Sequence, residues 1–214
     1  MERYDWGAQV QTYASCTQAT FTDALMRYHH ALTQLGCTDT QALDWLTAIT
    51  WPASDDDSFG DIYAAPVTLT SARGKSITCL GIEVSLYTQS AIPTIDDPPS
   101  WVGFNLLFDT EQLKQEIIAP YNAEIGITIW HILRTLACTF TELGAYLTDQ
   151  WQENMTWRAL VENTGDPWTF ELGIFPRSLS EHFKMVPAGF EGTLVDGCFG
   201  FAQSNRWVTL PWKC

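Results

Sequence analysis

Positive charge is the scarcest property of this sequence. Eleven Lys and Arg stand against 25 Asp and Glu in 214 residues, a net charge of −14. Between Tyr28 and Leu113 the only basic residues are Arg73 and Lys75. Such a surface has little with which to grip phosphate backbones or anionic lipid, so direct nucleic-acid and membrane binding are not expected. No apolar run approaches the length of a membrane span. The leading stretch MERYDWGAQVQ is charged and lacks the apolar segment of an export signal. A cytoplasmic protein is the resulting expectation.

Catalytic signatures are missing as well. There is no G-x-G-x-x-G, no Walker loop, no G-x-S-x-G and no H-E-x-x-H. No catalytic residue, cofactor or metal is therefore assigned. Cys16, Cys37, Cys79, Cys138, Cys198 and Cys214 contain no C-x-x-C pair and read as reduced, mostly buried thiols. Cys214 does not complete a prenylation box.

What is abundant is apolar and aromatic. Hydrophobic residues make up 46% and charged residues 17%, which favours a folded globule over disorder. The expectation is a single α+β domain over 1–214 with an N-terminal helical hairpin within 17–50. Ten tryptophans imply a Trp-rich core and an exposed aromatic patch.

The chain is organised around EIGITIWHILRTLACTF, residues 124–140. Ile125, Ile129, Ile132, Leu133, Leu136 and Phe140 recur at helical spacing. Ile125, Ile127 and Ile129 also alternate, as in a strand, but the run exceeds the usual strand length. It reads as one long buried central helix. Around it the order of elements is irregular. Residues 1–16 read as a polar lead-in over the surface. Phe21, Leu25, Tyr28, Leu32 and Leu35 mark a helix stopped at Gly36, and Thr38 or Thr40 opens a second. Tyr63–Thr70 and Ser76–Thr88 read as a hairpin about SARGKS.

WVGFNLLFD reads as a central strand, and Asp109 or Thr110 caps a helix carrying Leu113, Ile117 and Ile118. AYLTDQ and WTFELGIFP read as further strands, and a helix holds Trp157, Leu160 and Val161. The end of the chain reads as a hairpin about SN, with Gly197 and Gly200 marking a bulge or a close approach. This mixture predicts an α+β fold, an antiparallel or mixed sheet with helices packed on one face. Trp101/Phe108 and Trp168/Phe175 echo each other, as a duplicated strand unit would.

Two sites follow. The loops WPASDDDSFGD and IPTIDDPPS gather Asp55, Asp56, Asp57, Asp61, Asp96 and Asp97 beside Trp51 and Phe59. Acids that steer and aromatics that anchor suit a surface for a basic protein, as in an immunity-type inhibitor of a toxin or nuclease. Solvated loops beside a core are the plainer alternative. Asp55–Asp57 lack the spacing of a calcium loop. The second site is a small-molecule or enzymatic pocket at Trp130, His131 and Arg134. His131 and Arg134 share one helix face and, if buried, need acids such as Glu142, Asp149 or Glu171. The adjacent His29 and His30 diverge around their helix and read as structural.

Overall fold

Alternation, more than hydropathy, decides the N-terminal segment. In Ala8–Cys16 the residues Ala8, Val10, Thr12 and Ala14 take one side and Gln9, Gln11, Tyr13 and Ser15 the other. The segment is not a surface lead-in but a strand inside the main sheet, buried along nearly its whole length. Its average polarity disguised it, because one of its two buried faces is polar.

The computed structural model describes residues 7–52, 58–70, 76–87, 100–114 and 119–214. In chain order these form β1 (Ala8–Cys16), α1 (Phe21–Gln34), α2 (Thr40–Ala48), β2 (Ser58–Tyr63), β3 (Val67–Thr70), β4 (Ser76–Cys79), β5 (Gly81–Tyr87) and β6 (Ser100–Phe108). There follow α3 (Thr110–Leu113), α4 (Ala123–Thr139), β7 (Ala145–Asp149), α5 (Met155–Val161), β8 (Leu172–Phe175), β9 (Phe190–Val195) and β10 (Cys198–Gln203), with short 3-10 turns between. Eight strands make one sheet in the order β2-β5-β6-β1-β7-β8-β10-β9. Every neighbouring pair in it is antiparallel. β3 and β4 pair separately. The fold is α+β, and no helix among the described residues is long and apolar enough to cross a membrane.

The central helix forms as its length predicts. Asn122 caps it by accepting from the Ile125 N–H at 2.8 Å. Ile129, Ile132, Leu133 and Leu136 are buried against one face of the sheet, while Glu124, Arg134 and Cys138 face outward. α1 lies on the same face, where Tyr28 stacks on Phe104 at 4.3 Å. The helical hairpin turns at Gly36, whose φ of 75° suits a residue without Cβ. Asp39, not Thr38 or Thr40, caps α2 through the N–H groups of Gln41 and Ala42.

The expected strand Ser76–Thr88 breaks at Leu80: β4 pairs with β3, whereas β5 enters the main sheet between β2 and β6. The last hairpin turns not at SN but at Asp196-Gly197, both with positive φ, so β9 pairs with β10. Phe108 lies opposite Ala8, whereas Phe175 packs with Tyr146 in the other core. The Trp–Phe echo is therefore not a structural repeat. Of the helix expected around Leu113, only Thr110–Leu113 is formed, and Ile117 and Ile118 lie outside the described residues. All six cysteines are unpaired.

Gly200 is a close approach. A Cβ there would lie 2.5 Å from Cη2 of Trp130, pushing β10 against α4. Gly200→Ala should cost about 1–3 kcal/mol in urea unfolding through this overpacking. Shortening Trp130 to Leu in that background should recover part of the loss. A Gly200→Ala protein as stable as wild type would mean that strand and helix are farther apart than described.

Candidate functional site

Trp130, His131 and Arg134 do share one place. With Thr193, Leu194 and Trp212 they line an open groove of about 390 Å³ between α4, β9 and the carboxyl terminus. Trp130 and Trp212 meet there with ring centroids 5.3 Å apart. Desolvation, and next the Arg134 charge, lowers the His131 pKa. Arg134 is not buried, however, and none of the three expected acids meets it. It is 46% exposed and pairs with Asp196 at 2.8 Å. Glu142 takes Arg27 at 2.7 Å, Glu171 takes Lys114 and Arg206, and Asp149 caps a 3-10 turn. The physical reason is rotation around α4: position 134 falls on the face turned away from the sheet. The groove's guanidinium is already neutralised by its partner.

The acidic and aromatic residues are more dispersed. Asp55, Asp56, Asp57, Asp96 and Asp97 lie outside the described residues. The expected loop through Asp61 gives way to strand at Ser58, which places Phe59 and Asp61 on β2, at the end of the sheet order. Asp61 accepts from the Ile62 N–H at 2.9 Å. Trp51 is half-buried and meets Phe21 edge-on at 5.4 Å. Trp45 and Tyr63 lie 5.7 Å apart beside the same strand.

A third place was not anticipated. Antiparallel register puts directly opposed residues on one face. One cross-strand row therefore runs Glu83–Asn105–Gln11–Tyr146 through β5, β6, β1 and β7. Gln9, Thr148, Ser85, Tyr13 and Tyr87 flank it on the same side. The opposite face of these strands carries Val84, Phe104, Val10 and Leu147, which belong to the helix-covered core. The polar row is no less buried: Gln11 is 0%, Asn105 1% and Gln9 3% exposed.

Some of this polarity is well organised. Glu83 accepts from Asn105 Nδ2 at 3.0 Å and from the Ser85 hydroxyl at 3.1 Å. Asn154, held at a φ of 60° before α5, accepts from the hydroxyls of Tyr13 at 2.5 Å and Tyr87 at 3.0 Å. Trp157 closes that end, 4.9 Å from the Tyr87 ring and 5.7 Å from that of Tyr13. The remainder is unpaired. Gln9 Nε2, Gln11 Nε2 and Oε1, Asn105 Oδ1, the Tyr146 hydroxyl and Trp157 Nε1 are all buried without a hydrogen-bond partner. The Tyr146 hydroxyl lies beside Tyr13 and the Trp157 backbone but makes no hydrogen bond of good geometry.

No protein-family model, curated protein or solved structure matches this chain. Its site is therefore read from chemistry alone.

Charge here is of one sign. Glu153 is exposed as a whole residue, yet loss of water around its carboxyl, and next the Glu83 charge, raises its pKa. Burial, followed by the charges of Glu153 and Glu83, pushes the Tyr87 hydroxyl up to about 12. The tyrosines thus remain hydrogen-bond donors across ordinary pH. Among the described residues no cluster of His, Cys, Asp and Glu is suited to a metal ion. A cue for this face stood in the sequence. AQVQTYAS alternates with period two, as does GIEVSLY, and the polar members Gln9, Gln11, Glu83 and Ser85 fall in phase. Only the pairing of β1 with β6 brings them together.

The Arg134–Asp196 pair is too exposed to matter much for stability. Arg134→Ala and Arg134→Leu should each lie within about 0.5 kcal/mol of wild type in chemical denaturation. A loss above about 2 kcal/mol would place the guanidinium in a buried role that this geometry does not give it.

Proposed function

We propose that this chain is a binding protein that takes a small polar ligand on the face of its sheet opposite α4, over Glu83, Asn105 and Gln11. One observation carries the reading: Gln11 is fully buried in the middle of an eight-stranded sheet with both ends of its amide unpaired. An unsatisfied buried polar atom costs about 1–3 kcal/mol. Whole domains are stable by only about 5–15 kcal/mol. Two such atoms on one side chain are too costly to serve packing, since a hydrophobic residue of similar size would fill the space without them. A ligand that hydrogen-bonds to the amide would convert this cost into affinity, and because Gln11 exposes no surface it would have to displace what packs over it.

Ligand-observed NMR against a mixture of small neutral, cationic and anionic polar compounds tests the proposal. Saturation transfer should reach at least one compound with wild type and vanish with folded Gln11→Met. Transfer that persists unchanged in the variant would put the binding elsewhere, and the reading would fail.

A second reading, a module that grips a basic protein such as a toxin or nuclease, draws support from β2. This strand ends the sheet order and carries Asp61 and Tyr63, whose ring meets that of Trp45 at 5.7 Å. Extended basic segments can add to such an edge, and acids accelerate their arrival. On this reading an Arg-rich extended peptide should associate more slowly with Asp61→Asn, by roughly the factor that added salt produces. An association rate indifferent to both would remove β2 from consideration.

A further inference from the structure

The groove beside α4 has a property that does not depend on the polar face: it opens onto unpaired backbone. β9 is the last strand in the sheet order and pairs with β10 residue for residue from Phe190 to Val195, without a bulge. Its other edge is bare. Among the described residues, positions 191–195 make no backbone hydrogen bond outside the β9–β10 ladder. Thr193, Leu194 and Val195 all line the groove. Successive strand side chains point to opposite faces, so three in a row border one groove only along the strand's edge. Thr193 faces α4, since a Cβ on Gly200 would meet both its methyl and the Trp130 ring. Leu194 therefore faces away from α4, where it lies 63% exposed opposite Phe199.

An edge of this kind specifies its occupant chemically. Alternating N–H and C=O groups along an extended chain are matched by another extended chain, which adds as a further strand. The groove then receives side chains from one face of that strand. Its volume of about 390 Å³ lies within the range of ligand pockets, about 300–1,000 Å³. Trp130 and Trp212, 5.3 Å apart and inclined at 52°, form a wall that suits an aromatic side chain. The charges at both ends of the edge are already paired, Arg134 with Asp196 and Glu191 with Lys213. An uncharged segment leaves those pairs intact. A second copy is a poor occupant, because each carries a net charge of −14 and like charges repel.

We infer that β9 is a strand-addition site for an uncharged extended segment of a partner protein, which seats an aromatic side chain against Trp130 and Trp212.

Five-residue peptides capped at both ends, alternating threonine with tryptophan, phenylalanine, leucine or alanine, are the probes. Protein-observed NMR follows the backbone amides of residues 191–195 and the Trp212 indole. The expected result is saturable movement of both with an aromatic peptide and none with the alanine one. Strand addition uses only every second peptide amide. N-methylation of one alternate set should therefore abolish binding, and methylation of the other should spare it. Affinity should fall at least tenfold in Thr193→Glu, which sets an unpaired charge in the groove, and in Trp212→Ala, so that failure of one variant to fold leaves the other. Binding that survives both methylations would overturn strand addition, as would an absence of movement with every peptide. Movement of the same resonances with protein concentration alone would assign the edge to a second copy and overturn the partner segment.

Discussion

The contact between α4 and one face of the sheet is the constraint on which the rest depends. Ile129, Ile132, Leu133 and Leu136 are at most 1% exposed, and each side chain so buried contributes about 1.5–3 kcal/mol. Because strand side chains alternate, slipping any central strand by one residue would turn its apolar set away from α4. The helix therefore selects the register, and Gly200 admits Trp130 where a larger residue would block it. Once one face is fixed in this way, the composition of the other is free to serve something besides folding.

That freedom has been used unevenly. Toward β8, β9 and β10 the second face is aromatic, with Phe170, Phe175, Phe183 and Phe201 packed together. Toward β5, β6 and β1 it is polar and incompletely paired. The same protein satisfies other buried charges in full. Glu171, 4% exposed, takes Lys114, Arg206 and the Tyr121 hydroxyl. A chain that supplies three partners to one buried carboxylate does not lack the means to pair a glutamine. The contrast is what separates the Gln9–Gln11–Asn105 group from ordinary structural polarity.

Much of the architecture was legible in the sequence, because its strongest signals are periodic. The length of the Ile-rich run identified α4 despite its β-branched start, and the apolar stripe from Phe21 to Leu35 identified α1. Gly200 was readable as a close approach. Legibility failed where the meaning of a residue depends on distant pairing. The first strand reads as polar because half of it faces polar neighbours far along the chain, Asn105 94 positions from Gln11 and Tyr146 135 positions from it. Arg134 was expected inside, since nothing local says which side of an apolar helix meets the sheet. Acid clusters are easy to see in a sequence, whereas a buried amide without a partner exists only in three dimensions.

The central claim is that the polar face is held at a cost to stability, and Gln11 tests it most directly. Replacing Gln11 by Met keeps the volume nearly unchanged and removes both unpaired amide atoms. Gln11→Met should therefore be more stable than wild type in urea unfolding by about 1–3 kcal/mol, at an unchanged m-value. A variant less stable by about 1 kcal/mol or more would contradict it. The amide would then be paired in the native protein, and Gln11 would be a structural residue like Glu171.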